Sequence, residues 1–183
     1  RNKRILLLLL KKKLLVIDDY IAKTLQKEKY KMANYISYLY PEMESFLPVD
    51  TKAKIEDEIR KITDNDMDKF ETLRDLGENH YTISKLIRDD SIEDFITYIN
   101  HENIPLSSTL KDSLFETNDF LIQKSDISLI EYASFFGSIQ IVRYLYTNGV
   151  DLNVDLWYSS IHSGNPDLIH FLEEENMSFD PTS

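Results

Sequence analysis

Four histidines, a pair of adjacent serines and several carboxylate runs are the side chains in these 183 residues with the types for catalysis or metal binding. His80, His101, His162 and His170 include no pair three or four residues apart, the spacing that sets two imidazoles on one helical face to grip a metal. Ser159, Ser160, His162 and Asp167 supply a nucleophile, a base and an orienting carboxylate in kind, yet no glycines frame a nucleophile elbow around them. Cysteine is absent, which removes disulfides, thiolate zinc sites, iron–sulfur clusters and a thiol nucleophile together. No glycine loop of the phosphate-cradling kind is written anywhere. The acidic runs Asp64 to Asp68 and Glu173 to Glu175 lack the alternating ligands and central glycine of a calcium loop, so they read as solvated faces. Asn176-Met177-Ser178 is a glycosylation sequon in form only. The expectation is a chain with no catalytic, cofactor or metal site.

The elements that would carry any site are predicted to be helices. Four glycines and five prolines leave few turns, and 42% hydrophobic residues suffice for a core, so an all-α chain is expected. Residues 1 to 60 hold 13 Lys+Arg against 9 Asp+Glu, a net +4, while the remainder carries −15. So acidic a domain repels phosphate backbones, which argues against nucleic acid and for basic protein partners. The segment 1–17 alternates basic residues with Ile5 to Leu10 and Leu14 to Ile17, too short to span a membrane or to serve as a usual signal peptide. Such a Leu/Lys segment could lie on an anionic membrane surface, but it is read as an extension of the following helix. An intracellular, cytoplasmic setting is expected.

In the region 18–79, Ala22, Leu25, Met32, Ile36 and Leu39 recur in steps of three and four, predicting one helix from Asp18 to Tyr40 that Pro41 ends. A connection through Pro48 leads to a second stripe of Ile55, Ile59, Ile62, Phe70, Leu73 and Leu76, capped by Asp50 or Thr51, weakened at Asp64-Asn65-Asp66 and stopped by Gly77. The two stripes predict an antiparallel helical hairpin. Ile83, Leu86 and Ile87 begin another helix, and Asp90 or Ser91 is positioned to cap the next, through Ile99. Leu110 to Phe120 is predicted to add a short helical stretch.

The strongest signal is internal repetition. Gly137 and Gly164 stand 27 residues apart, and Ile141-Val142-Arg143-Tyr144-Leu145 falls on Leu168-Ile169-His170-Phe171-Leu172 at the same offset. Ala133 falls on Ser160 and Leu152 on Phe179. Ser128 to Gly137 resembles the ankyrin opening T-P-L-H-x-A-A-x-x-G, and Asn148-Gly149-Val150-Asp151-Leu152-Asn153 resembles that repeat's end. Ser128 and Glu131 have capping-box spacing, and Asn165-Pro166 is a helix start. Asp90 to Leu106 looks like a third, more diverged second-helix segment, offset by 46 or 47 residues and lacking the glycine. Residues 80–183, clearest at 126–153 and 155–180, thus resemble the divergent ankyrin-like domains of unassigned function expanded in parasitic protists. The 27-residue offset, below the ~33 of ordinary repeats, implies a trimmed finger.

That resemblance implies a helical hairpin followed by a stacked helix-pair solenoid. Its partner groove would be lined by the two residues before each turn glycine: Phe135 and Phe136, then His162 and Ser163. The function it implies is a non-catalytic protein-interaction module with an unidentified partner. The rival reading makes residues 14–76 a coiled-coil or oligomerisation element that assembles copies of the chain.

Overall fold

A computed structural model describes residues 2–27, 33–124 and 126–175. Among them the chain is all-α, with no strand. In order, the helices are α1 (Lys3–Lys11), α2 (Asp19–Lys27), α3 (Ala33–Tyr38), α4 (Tyr40–Met43), α5 (Val49–Thr63), α6 (Met67–Leu76), α7 (Thr82–Arg88) and α8 (Ile92–His101). Then come α9 (Asp119–Gln123), α10 (Leu129–Phe136), α11 (Ile139–Thr147), α12 (Asp155–Ser163) and α13 (Pro166–Glu174). Two compact units result: Arg1–His80 with Asp112–Gln123, and Tyr81–Lys111 with Lys124–Ser183.

In the first unit, Leu7, Ala22, Leu25, Tyr38, Leu39, Met43, Ile55, Ile59 and Phe70 share one apolar core with Leu114 and Phe115. The basic segment 1–17 is not an extension of α2. It forms the separate helix α1, capped by Asn2, whose side-chain oxygen accepts from the amides of Arg4 and Ile5 at 2.9 and 3.2 Å. The left-handed Lys13, φ 57°, then ends it. Part of the predicted Asp18–Tyr40 helix, Met32 included, lies outside the described residues; 19–27 and 33–38 are helical. Pro41 does not close this region. It sits in the first turn of α4, where a missing amide costs nothing, so the expected loop is a helical turn followed by a 3-10 turn at Glu44–Phe46. Neither Asp50 nor Thr51 caps α5, because Pro48 already holds the cap position and the helix begins at Val49. The weak point at Asp64–Asp66 is a full break: Asp64 and Asn65 are left-handed, and the Asp66 carboxylate accepts from the amides of Asp68 and Lys69. Gly77 ends α6 as expected.

The predicted helix at Leu110 to Phe120 is absent up to Asn118. Ser113 Oγ accepts from the Phe115 amide at 3.2 Å and Glu116 accepts from Asn118 at 2.9 Å. These local bonds compete with a helical ladder, while Leu114 and Phe115 turn into the core. Thr117 then fastens the segment to the end of α6, its amide and hydroxyl both donating to the Gly77 carbonyl at 3.1 and 2.7 Å.

Two cations are buried in this core, on one tyrosine. Arg74 has no exposed surface; Nη2 bonds both oxygens of Glu42 at 2.6 and 2.8 Å, and Nη1 bonds Glu71 at 2.6 Å. Lys3 Nζ donates to the Leu114 carbonyl at 3.1 Å. Both cationic groups lie 5.6 Å from the Tyr38 ring centre, and Tyr38 donates its hydroxyl proton to the Arg74 carbonyl at 2.8 Å.

The second unit contains three helix pairs, α7/α8, α10/α11 and α12/α13. The first helices lie in a row, α7 against α10 and α10 against α12, while α8 packs on α11. The expected capping box is formed: Ser128 Oγ accepts from the Glu131 amide at 3.3 Å, and Glu131 accepts from the Ser128 amide at 2.9 Å. Burial pushes the Glu131 carboxyl up, but its bonds to Lys124 and Ser128 outweigh that and hold it below the usual range. A single antiparallel bridge, Thr109 with Ser128, precedes α10.

Burial strips Lys3 of hydration and lowers its pKa to about 8, although Glu116, Asp112 and Asp119 pull it upward. An unfolded lysine keeps its proton to about 10.4. Between those values the unfolded chain binds more protons, so stability should rise with pH. Burial raises Tyr38 to about 12, so its contribution is complete below its unfolded value and is lost only at higher pH. The expected result, from urea melts followed by circular dichroism, is a midpoint that climbs between about pH 8 and 10 in wild type, with Lys3→Met flattening that climb.

Candidate functional site

The turns between the helices of each pair are built alike. Asp90, Gly137 and Gly164 all end first helices in the left-handed region, at φ 48°, 74° and 66°. Asp90 therefore occupies, at an offset of 47, the place that glycine fills in the other two pairs. Aspartate tolerates this conformation at some cost, and its carboxylate has a second use. It accepts from the amides of Gln140 and Ile141, both at 3.1 Å, satisfying the free first turn of α11. The expectation that Asp90 or Ser91 caps α8 is thereby corrected: Asp90 serves the next pair, and Ser91 makes no side-chain cap bond. Two residues at the equivalent cap position reach backward, Ser138 Oγ donating to the Ile87 carbonyl and Asn165 Nδ2 to the Gly137 carbonyl at 2.7 Å.

Two residues before these left-handed positions lie Arg88, Phe135 and His162, one position in three successive pairs. The Phe135 and His162 rings stack face to face, centres 3.9 Å apart and planes 16° from parallel. Phe136 packs edge-on against Phe135 at 5.2 Å and tilted against Tyr132 at 4.8 Å. The Arg88 guanidinium lies 6.0 Å from the Phe136 ring centre and donates to the Tyr132 hydroxyl at 2.8 Å. The structure thus brings Phe135, Phe136 and His162 together in one aromatic layer.

The residues expected to line the groove differ in exposure. Phe135 is only 3% exposed, because the imidazole covers its face; it is a floor beneath the surface. Phe136 is half-buried and His162 exposed. Ser163 serves the turn, its hydroxyl donating to the Ser160 carbonyl at 2.7 Å and accepting from the Asn165 amide at 3.2 Å. Tyr158 and Ile161, on the same helix as His162, are exposed, and sequence reasoning did not single them out. Arg88 was missed too, although adding 47 to its number gives 135.

Several of the side chains weighed for catalysis are engaged elsewhere. Ser160 is buried with its hydroxyl on the Leu156 carbonyl at 2.7 Å, in the small-residue position where a larger side chain would separate the helices. His101 and His170 pair with neighbouring Glu102 and Glu173 on the surface. In the other unit, His80 contacts Ser113 Oγ at 2.8 Å through Nδ1, and burial, aided by Lys69, pushes its pKa below the usual histidine value. Among the described residues no group of three His, Asp or Glu is placed to hold a metal, and no helix is long and apolar enough to cross a membrane. No family model, curated protein or solved structure matches the chain.

The turns make a comparative prediction. A Cβ on Gly137 would meet Asn165 Cβ at 3.1 Å and Ser163 Cβ at 3.3 Å, whereas one on Gly164 would meet nothing within 4 Å. Gly164→Ala should therefore cost only the left-handed penalty of about 1–2 kcal/mol. Gly137→Ala should cost about 1 kcal/mol more through crowding. Denaturant melts of both variants, followed by Trp157 fluorescence, measure the difference; equal losses would show that the turn yields freely.

Proposed function

We propose that this chain is a non-catalytic protein-interaction module whose second unit is a divergent ankyrin-like solenoid. Its binding face is the row of first helices α7, α10 and α12. What carries the reading is the repeated position Arg88, Phe135 and His162 beside three left-handed turns, since a stack of like pairs displays like positions along one continuous surface. On that surface Phe136 and His162, with exposed Tyr158 and Ile161, are the contacts, Phe135 is their rigid support, and Ser163 holds the turn beneath them. Rings already fixed by stacking lose little freedom on binding, which favours affinity.

The partner is proposed to be a basic protein rather than a nucleic acid, within the cell. The second unit carries 14 Asp+Glu against 5 Lys+Arg, a charge that steers cationic surfaces toward it and repels phosphate. Assembly of copies through residues 14–76 has less support. The stripe residues Ile55, Ile59, Phe70 and Leu73 pack into the chain's own core, leaving them unavailable to a second helix.

The test compares pull-downs by wild type and by Ile161→Asp/His162→Ala, two changes at exposed positions, with circular dichroism verifying the fold because loss of the imidazole uncovers Phe135. Hydrogen exchange of the captured complex then locates the contact. A partner lost by the variant and protecting 129–136 and 155–163 is expected. A partner that both proteins hold, with protection on α8 and α11 or in the first unit, overturns this face.

A further inference from the structure

The first 17 residues contain six Lys+Arg and no Asp+Glu, and the structure divides their apolar side chains between two directions. In α1, Lys3, Leu7 and Leu10 turn inward, while Ile5 and Leu8, and then Lys12 at the helix's C-cap, follow one another at steps of three and four and are all exposed. The left-handed Lys13 then reverses the chain, and the amides of Leu14 and Leu15 both donate to the Leu9 carbonyl at 2.9 and 3.3 Å. Beyond that reversal the backbone runs without helix. Ile17 points into the core, while Leu14 and Val16 stand 72% and 73% exposed. Tyr20, in the first turn of α2, is 78% exposed.

Folding has thus left five large apolar side chains in water on one short stretch, although the same stretch contributes Leu7 and Ile17 to the core. Lysines flank them. Lys11 is engaged by Asp75 and Glu71, at 2.5 and 3.5 Å, but exposed Lys12 and Lys13 have no carboxylate partner among the described residues. Exposed aliphatic side chains, an amphipathic tyrosine and ammonium groups without a carboxylate partner, all within residues 5–20, match the two layers of an anionic lipid surface. The former enter the acyl boundary while the latter stay with headgroup phosphates.

We propose that Ile5, Leu8, Leu14, Val16 and Tyr20 form a membrane-surface contact that binds anionic lipid, with Lys12 and Lys13 supplying the charge recognition. The contact lies wholly in the first unit and does not depend on the partner face of the second. It is reversible and interfacial, since α1 is too short to span.

The full chain is sedimented with vesicles of phosphatidylcholine alone and of phosphatidylcholine mixed with phosphatidylserine, at low and at raised salt. Binding to the mixed vesicles only, weakened by salt, is expected. Lys12→Ala/Lys13→Ala should reduce it about 25-fold, from about fivefold per lysine. Leu14→Ser/Val16→Ser should reduce it by at least about tenfold through lost apolar burial. Both double variants alter exposed positions, and unchanged circular dichroism verifies their fold. Equal sedimentation with both lipid compositions, or binding that either double variant leaves intact, overturns the proposal. So does lipid-free self-association that Leu14→Ser/Val16→Ser abolishes, which would assign the face to a second copy.

Discussion

The left-handed residue that closes each first helix is the constraint on which the second unit rests. A helix pair of this length buries only one face of each helix, so its neighbours must be set at a fixed height before their apolar rows can meet. Reversal within a single residue permits that, and the conformation is costly for residues with a Cβ. Two pairs meet the requirement with Gly137 and Gly164. The third uses Asp90, whose penalty is offset by bonds to two amides that would otherwise face the end of α11 unsatisfied. The same residue therefore terminates one helix and starts another in the next pair. Backward bonds from Ser138 and Asn165 complete the fastening, and the aromatic layer lies one residue away from it.

The first unit solves a different problem, because nothing in it repeats. Its helices share one core that includes Tyr38, and the two cations beside that ring are held by unlike means. Arg74 has carboxylate partners on α4 and on its own helix, so its charge is compensated where it lies. Lys3 has a carbonyl and two tyrosine faces at 5.6 Å but no direct carboxylate, which is why burial dominates its titration. Through that bond to Leu114 the N-terminal helix and the returning segment 112–123 share one core, although more than a hundred residues separate them in the chain.

What was legible in the sequence is what local chemistry decides. The capping box at Ser128, the Asn165-Pro166 start, the stop at Gly77 and the break at Asp64–Asp66 each depend on neighbours within about four residues, and each is formed. The scarcity of glycine and proline also pointed to the all-α class. The failures are long-range. Nothing near Leu114 and Phe115 announces that they leave a helical pattern for a core built of residues 7 to 70. Asp90 looked like the cap of its own helix because its true acceptor role lies fifty residues away. Phe135 and Phe136 were indistinguishable by type, and only the stacking of His162 on one of them separates floor from surface.

That separation changes what kind of recognition the aromatic layer can support. An exposed phenylalanine pair would offer a large apolar area, adaptable in rotamer and tolerant of many partners. With Phe135 covered and Phe136 wedged against Tyr132 and Phe135, the open groups are an imidazole edge, part of one phenyl ring and the side chains of Tyr158 and Ile161. Arg88 is tied to Tyr132 and lies beside Phe136, so a cation already occupies the neighbourhood of that ring. A cationic side chain approaching from a partner would meet repulsion there, despite the acidic charge of the unit as a whole. The proposed face therefore favours a partner that brings an apolar residue to the ring at α10 and its basic groups to the carboxylate-rich periphery, a division of roles common at interfaces with a dry centre and a charged rim.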